Sequence, residues 1–308
     1  MRPPRPLPAH LVGRAFTTDD VGLHGQSIGR LRGRDLSAPH RGVRTVGVDL
    51  DTVRGRCRAY EPLLGRSRVF SHVTAALLLD LPLPPRVASA PELHVGARDG
   101  TTPPRARGIV GHRLAAETAV AFAHGHPVTA ALDTWRSLAD VLPQEELVAV
   151  GDRIVSGVRS GTDRTGVLAS VADLRQAALE HRGRRGAAAL RWAAALVRTG
   201  VDSRPESLLR LAVVEAGLPE PLVGHPVVVD HGGLTLHPDL ADIPARLLYE
   251  YEGDYHRTER HRFRNDIHRR ELLEDAGWRV IRVTADDLFV RRQQFIRRIR
   301  HLHAARAQ

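Results

Sequence analysis

Toward its C-terminal end the chain reads LLYEYEGDYH, Leu247 to His256, an apolar run that sets down Glu250 and Glu252 two positions apart. Strand side chains alternate, so Leu248, Glu250 and Glu252 share one face while Leu247, Tyr249 and Tyr251 share the other. Two carboxylates on one face repel each other and lose hydration unless positive charge stands between them. A divalent metal ion is the simplest such charge. Asp239 follows Pro238 in the preceding extended run, and if the two strands are neighbours its carboxylate closes a site of hard oxygen donors. The competing reading is that Glu250 and Glu252 face solvent or pair with arginines such as Arg257 and Arg279. Glu206 is open in the same way. It completes an S-x-x-E capping box with Ser203 and sits four before Arg210, so helix architecture explains it as well as catalysis does.

The elements that must hold these groups are legible around them. SRPESLLRLAVVEAGLPEP predicts a helix capped by Ser203, apolar nearly all round and stopped by Gly217 and Pro219. Three extended pieces follow, HPVVV, LTLHPDL and RLLYEYE, then a polar helix ending at Gly277, the strand WRVIRVT and a basic helix FVRRQQFIRRIRHLHAARA. The order is α-β-β-β-α-β-α. Upstream, residues 170–198 read as two helices broken at HRGRRG, a connector over 156–200. Residues 61–155 mix helices (SHVTAALLLDL, TAALDTWRSLADVL, QEELVAVGDRIV) with strands (ELHVGAR, GIVGHRL), a small α+β domain. His72, His94 and His112 fall there without metal-ligand spacing and read as packed or polar histidines. Residues 1–60 offer two short helices, with Thr18 and Ser27 as caps, and the ribbon APHRGVRTVGV, the outline of a small winged helix. Its four glycines weaken the helices, and an irregular basic cap on the next domain is the alternative. The expected class is α+β in several domains, the last spanning 201–308.

Composition narrows the chemistry further. The chain has no lysine: all 45 of its Lys and Arg positions are arginine, which removes P-loop, Schiff-base and kinase mechanisms together. The net charge of +10 is uneven, with 11 Arg against 5 acids in residues 1–60 and 14 against 7 in residues 256–308. Two basic ends around a slightly acidic middle fit a polyanionic partner. Cys57 is the single cysteine, so no internal disulfide framework exists and a reducing compartment is expected. The N-terminus MRPPRPLPAH lacks an apolar leader, and no stretch approaches the roughly 20 apolar residues that span a bilayer. A cytoplasmic protein without a membrane partner is the expectation.

The residues HPDL, LLYEYEGDYHR and RNDIHRRELLEDAGWRVIRVTADDL closely resemble the very-short-patch-repair (Vsr-like) branch of the PD-(D/E)XK nuclease superfamily, over about residues 201–290. That resemblance implies a restriction-endonuclease-like αβββαβ core and a Mg²⁺- or Mn²⁺-dependent endonuclease site. It implies that Glu206 matches the helix glutamate, Asp239 the motif aspartate and Glu250 the first acid of the (D/E)-x-K element, with Asp239, Glu250 and Glu252 holding metal. Glu252 stands at the lysine position, a departure from the motif. Arginine cannot take that lysine's place as a base. Vsr-type enzymes lack that lysine as well and use histidines near this strand end, which assigns His256 to the attacking water. The other reading is a site without activity on a surviving nucleic-acid-binding fold.

The first 155 residues resemble, less sharply, the AbiEi-type antitoxin and regulator architecture of a winged helix followed by a small α+β domain. This implies double-stranded DNA as partner, with Arg30, Arg32, Arg34, Arg41 and Arg44 as phosphate contacts, joined from the C-terminal part by Arg257, Arg269 and Arg270. A metal-dependent endonuclease with a DNA-binding module is the leading expectation. A regulator with a toxin as partner is the second, and a defence-system scaffold the third.

Overall fold

The structure, a computed structural model, describes residues 6–19, 28–161, 163–229, 233–253 and 260–306. The chain is an α+β protein of two compact units, Met1–Val141 and Leu142–Gln308. Among the described residues no helix is long and apolar enough to cross a membrane.

In the first unit, strand β1 (Ala15–Thr17) pairs antiparallel with β2 (Val43–Thr45), Phe16 opposite Arg44. Phe16 packs with Leu11 and Leu31 as a small core. Phe16 and Thr17 thus lie in a strand just ahead of the expected cap Thr18, and most of the first expected helix lies outside the described residues. The expected second helix is only a 3-10 turn, Ile28–Arg32, among the described residues, as its glycines foreshadow. Its proposed cap Ser27 lies outside the described residues.

Helix α1 (Val53–Leu64), absent from the sequence reading, is capped by Thr52, whose Oγ1 accepts a hydrogen bond from the Gly55 N–H at 3.1 Å. Gly55 is forced: a Cβ there would stand 1.6 Å from the Asp49 carbonyl oxygen. After α1 come β3 (Arg68–Phe70), α2 (His72–Leu78), β4 (Leu93–Ala97), β5 (Ile109–Arg113), β6 (Val120–Ala123), β7 (His126–Thr129) and α3 (Ala131–Leu138). The five strands make one mixed sheet in the order β5-β4-β3-β7-β6. Cys57, Tyr60, Phe70, Leu78, Leu93 and Val128 fill the core beneath it. Burial pushes the Cys57 thiol up to about 12, so it is protonated and inert.

The sheet also gathers three histidines that lie far apart in sequence. The rings of His72 and His112 stack with centroids 3.6 Å apart, and His94 lies parallel to His112 at 5.1 Å. His94 Nδ1 is 2.9 Å from His112 Nε2, and His72 Nδ1 is 3.1 Å from Ser71 Oγ. One proton between the first two nitrogens satisfies both, which two charged rings could not do, since each would then point an N–H at the other. Burial, reinforced by the neighbouring imidazoles, pulls His72 down to about 3 and His112 to about 4. Burial also lowers His94, against the opposing pull of Glu92.

The second unit opens with a helical layer: α4 (Gln144–Ser156), the short hairpin β8 (Val158–Ser160) and β9 (Asp163–Thr165), α5 (Val171–Glu180), α6 (Ala187–Leu196) and α7 (Arg204–Glu215). Helix α4, expected with the middle domain, packs here against α6 and α7. At their junction Arg210 is fully buried. Its Nη2 donates to Asp152 Oδ2 at 3.0 Å and to the Leu196 carbonyl at 2.8 Å, and its Nη1 donates to Glu220 Oε1 at 2.6 Å. Asp152 also accepts from Ser207 Oγ and the Arg198 N–H, each at 2.7 Å.

The remaining elements are β10 (Leu222–Val223), β11 (Val227–Val229), β12 (Leu234–Leu236), β13 (Leu240–Asp242), β14 (Leu247–Glu252), α8 (Arg260–Asp275), β15 (Arg279–Thr284) and α9 (Arg292–Ala304). LTLHPDL, read as one extended piece, breaks at His237–Asp239 into β12 and β13. Pro238 sits at the break, where a residue without an N–H cannot continue a ladder. Consequently β11 and β12 form their own hairpin and the main sheet runs β10-β13-β14-β15. Strand β14 is antiparallel to β13, with Leu240 opposite Tyr249, and parallel to β15, with Glu250 opposite Arg282. Val227, Val229, Leu248, Leu273 and Val280 close one face of that sheet against α8.

The histidine stack makes the first unit's sheet acid-sensitive. The unfolded chain takes up protons near the ordinary imidazole value of about 6.5 that the folded unit refuses. The stabilisation is therefore complete above that pH and is lost as pH falls toward the folded values. Amide exchange in β4 and β5, corrected for its intrinsic pH dependence, should quicken between about pH 7 and about pH 5. The acceleration should be smaller in His72→Asn, and equal slopes in the two proteins would remove the stack as its cause.

Candidate functional site

Glu206 stands in the first turn of α7, where Ser203 Oγ accepts from its N–H at 3.4 Å. Its own carboxylate turns to the residue before the cap: Oε2 accepts from the Asp202 N–H at 2.9 Å, and a hydrogen bond with the Ser203 side chain also favours its charged form. This is a capping arrangement shifted by one residue, so the structural role read from the sequence is present. Capping alone does not account for its electrostatics. Burial first, and then the Asp239 carboxylate, push Glu206 up to about 7 in spite of those hydrogen bonds.

Asp239 sits just ahead of β13, where the β13–β14 register brings it beside Glu250. Its Oδ2 accepts the Tyr251 N–H at 2.8 Å, a bond that favours the charged form. Burial outweighs it, and Glu250 adds repulsion, so Asp239 is pushed up to about 6. Glu206, Asp239 and Glu250 thus form a chain of interacting carboxylates drawn from α7, the approach to β13, and β14. The pair Asp239 and Glu250 opens onto a cavity of about 430 Å³, whose wall also includes Glu252, Arg269, Arg270 and Arg282.

Guanidinium groups meet the two strand glutamates. Arg269 on α8 donates to Glu250 Oε1 from Nη2 at 3.0 Å and from Nε at 3.3 Å, and its Nη2 also donates to the His237 carbonyl at 2.9 Å. Glu252 is ion-paired with Arg282 of β15. The sequence named Arg257 and Arg279 as partners. Parallel pairing instead sets Arg282 across from Glu250, and Arg279 lies across from Leu247 at the far end of the strand. The alternation Val280, Arg282, Thr284 was the available signal for that pairing, because it fixes which β15 residues share a face. Arg270 is paired within its helix to Glu274 at 2.8 Å. His256 and Arg257 lie outside the described residues. Among the described residues, no three His, Cys, Asp or Glu side chains gather closely enough to grip a metal ion.

The N-terminal candidates divide. Arg30 is buried and doubly bonded to Asp35, at 2.9 Å and 2.5 Å, and that contact holds the Asp35 carboxyl below its ordinary range. Arg44 donates from Nε to the Leu31 carbonyl and from Nη1 to the Val43 carbonyl, each at 2.9 Å. Arg44 therefore braces the backbone at the 3-10 turn, and Arg30 ties that turn to the Asp35 side chain. Arg32, Arg34 and Arg41 are exposed.

No family model and no solved structure matches the chain. Two uncharacterised proteins from two strains of Mycobacterium tuberculosis are similar to it, each 33% identical over 136 residues, which cover 44% of this chain and 49% of theirs. The chain thus spans about half the length of the curated relatives it matches.

The raised carboxyls predict a stability gain on neutralisation. Where a folded carboxyl titrates above its unfolded value, stability falls as pH rises through the window between the two. Glu206→Gln removes that penalty and keeps an acceptor for the Asp202 N–H. Its melting temperature should exceed that of the wild type by a few degrees at about pH 8, with the gap closing by about pH 5. A variant less stable at both pH values would show that the carboxylate serves capping alone.

Proposed function

We propose that the C-terminal unit is a metal-dependent nuclease domain that hydrolyses nucleic-acid phosphodiesters, and that the N-terminal unit is its nucleic-acid-binding module. The observation that carries this reading is the chain Glu206–Asp239–Glu250: three interacting acids, Glu206 and Asp239 pushed well above the carboxylate range, with Asp239 and Glu250 on the wall of a cavity open to a ligand. Buried acids that repel one another cost stability, and such costs concentrate at functional sites.

The donor type suits Mg²⁺ or Mn²⁺, which take carboxylate oxygens. Asp239 and Glu250 would hold the ion, with Glu252 at the cavity rim. When bound, the ion supplies a water of lowered pKa and countercharge for the developing phosphorane. The protein's own groups do the rest. The Tyr251 N–H fixes the Asp239 carboxylate. Arg269, now on Glu250, supplies the positive charge that the acid requires, and it stands with Arg270 on the wall where phosphate oxygens would enter. His256 is assigned the proton of the attacking water, on the resemblance of the strand end to Vsr-like enzymes.

Plasmid nicking with Mg²⁺ or Mn²⁺ tests the reading. Wild type should nick, and Asp239→Asn and Glu250→Gln should each lose at least about 100-fold in rate. No nicking by wild type, or equal nicking by the variants, refutes it.

A second reading, binding without cleavage in the manner of an antitoxin-like regulator, is favoured by the pairing of Glu250 with Arg269 and of Glu252 with Arg282. It expects duplex binding that is indifferent to the acids and depends on the exposed Arg32 and Arg34. Replacing both by Ala should lower the salt slope of binding by about 2, at about 0.9 per phosphate contact. An unchanged slope would exclude those two side chains as contacts.

A further inference from the structure

The first unit contains a second cavity, apart from the acid site, that shares only Arg41 and Arg44 with the duplex-binding expectation. It measures about 860 Å³ and runs between the segment ahead of α1, α1 itself and the loop before β5. Its floor is apolar, with Pro39, Ala59, Leu63 and Leu93, and the His40 ring lies beside it, edge-on to Tyr60 at 5.1 Å. Five arginines line it: Arg41, Arg44, Arg56, Arg105 and Arg107. Among the described residues no carboxylate does. Arg56 is the most telling of them. One of its terminal nitrogens donates to the Asp51 carbonyl at 2.9 Å, while its Nε is buried and has no hydrogen-bond partner among the described residues. Held this way, Arg56 keeps its charge fixed at the cavity wall, where an anionic ligand is favoured over a cation.

An apolar floor ringed by cations suits a ligand that is itself apolar on one face and anionic along its edge. Duplex DNA presents phosphates outward and keeps its base faces stacked inside, so it can meet the rim but not the floor. A single strand offers both, because its bases turn outward to lie on nonpolar or ring surfaces while its phosphates follow the arginines. We propose that this groove takes up single-stranded nucleic acid, with Arg56, Arg105 and Arg107 on its phosphates and the floor beside His40 under a base. The proposal rests on the nucleic-acid reading of the chain and adds a strand-selective site to it.

Fluorescence anisotropy of the full chain with a labelled 12-nucleotide single strand, DNA and RNA, and with the matching duplex, across a salt series, tests this. The variant is Arg105→Ala with Arg107→Ala, both exposed, with Arg105→Lys and Arg107→Lys together as the charge-retaining control. The expected result is at least a tenfold loss of single-strand affinity and a salt slope smaller by about 1.4, at about 0.7 per phosphate. Duplex affinity should change less than twofold, and the Lys control should recover most of the loss. Unchanged single-strand binding overturns the groove while leaving the nuclease reading to its own plasmid test. Equal losses for strand and duplex overturn the strand selectivity. A wild-type protein that binds neither form overturns the groove and the nucleic-acid reading together.

Discussion

The contact on which the second unit depends is the fully buried pair of Arg210 and Asp152. Two charges removed from water are tolerated only when each is surrounded by partners, and here Glu220, the Leu196 carbonyl, Ser207 and the Arg198 N–H supply them. Removing one member of such a pair costs roughly 3–5 kcal/mol, because the other is left charged and alone. The geometry matters as much as the energy. The network ties α7 to α4 and to the end of α6, and so fixes the first turn of α7, from which Glu206 reaches toward Asp239. The acid site is held from below by this interaction and from the side by the β13–β14 ladder.

The two glutamates that open the sequence argument show how the same residues satisfy competing demands. Glu250 and Glu252 do share a face, as strand alternation requires, and positive charge does stand against both. In the structure that charge is guanidinium. Arg269 and Arg282 arrive from α8 and β15, the elements that flank β14 on its open side. An arginine on a catalytic-type carboxylate can be read as a permanent plug or as a counterion that yields to a substrate's own charges. The raised Asp239 and Glu206 favour the second, since the arginines leave those two acids repelling each other.

Legibility followed the range of the interactions. Helices α4 to α7 and strands β14 and β15 were visible because capping residues, apolar periodicity and alternation are local. Asp239 was placed beside Glu250 correctly in kind, since neighbouring strands were enough to argue it. What escaped was set by distant partners. LTLHPDL looked continuous until Pro238 interrupted it. Arg282 became the partner of Glu252 only through parallel pairing across an intervening helix. The histidines at 72, 94 and 112 had no meaningful spacing, because a helix start and two parallel strands bring them together. The basic groove was hidden for the same reason: Arg41, Arg56 and Arg107 come from three segments that only the fold makes neighbours.

The buried Cys57 has a practical corollary. Its protonated thiol is shut inside the core, and the chain carries no lysine amines, so the folded surface is silent toward maleimides and, apart from the α-amino group, toward succinimidyl esters. One cysteine introduced beside the groove or the acid cavity would be a unique labelling position, on which a fluorophore or spin probe could report occupancy without a background to subtract.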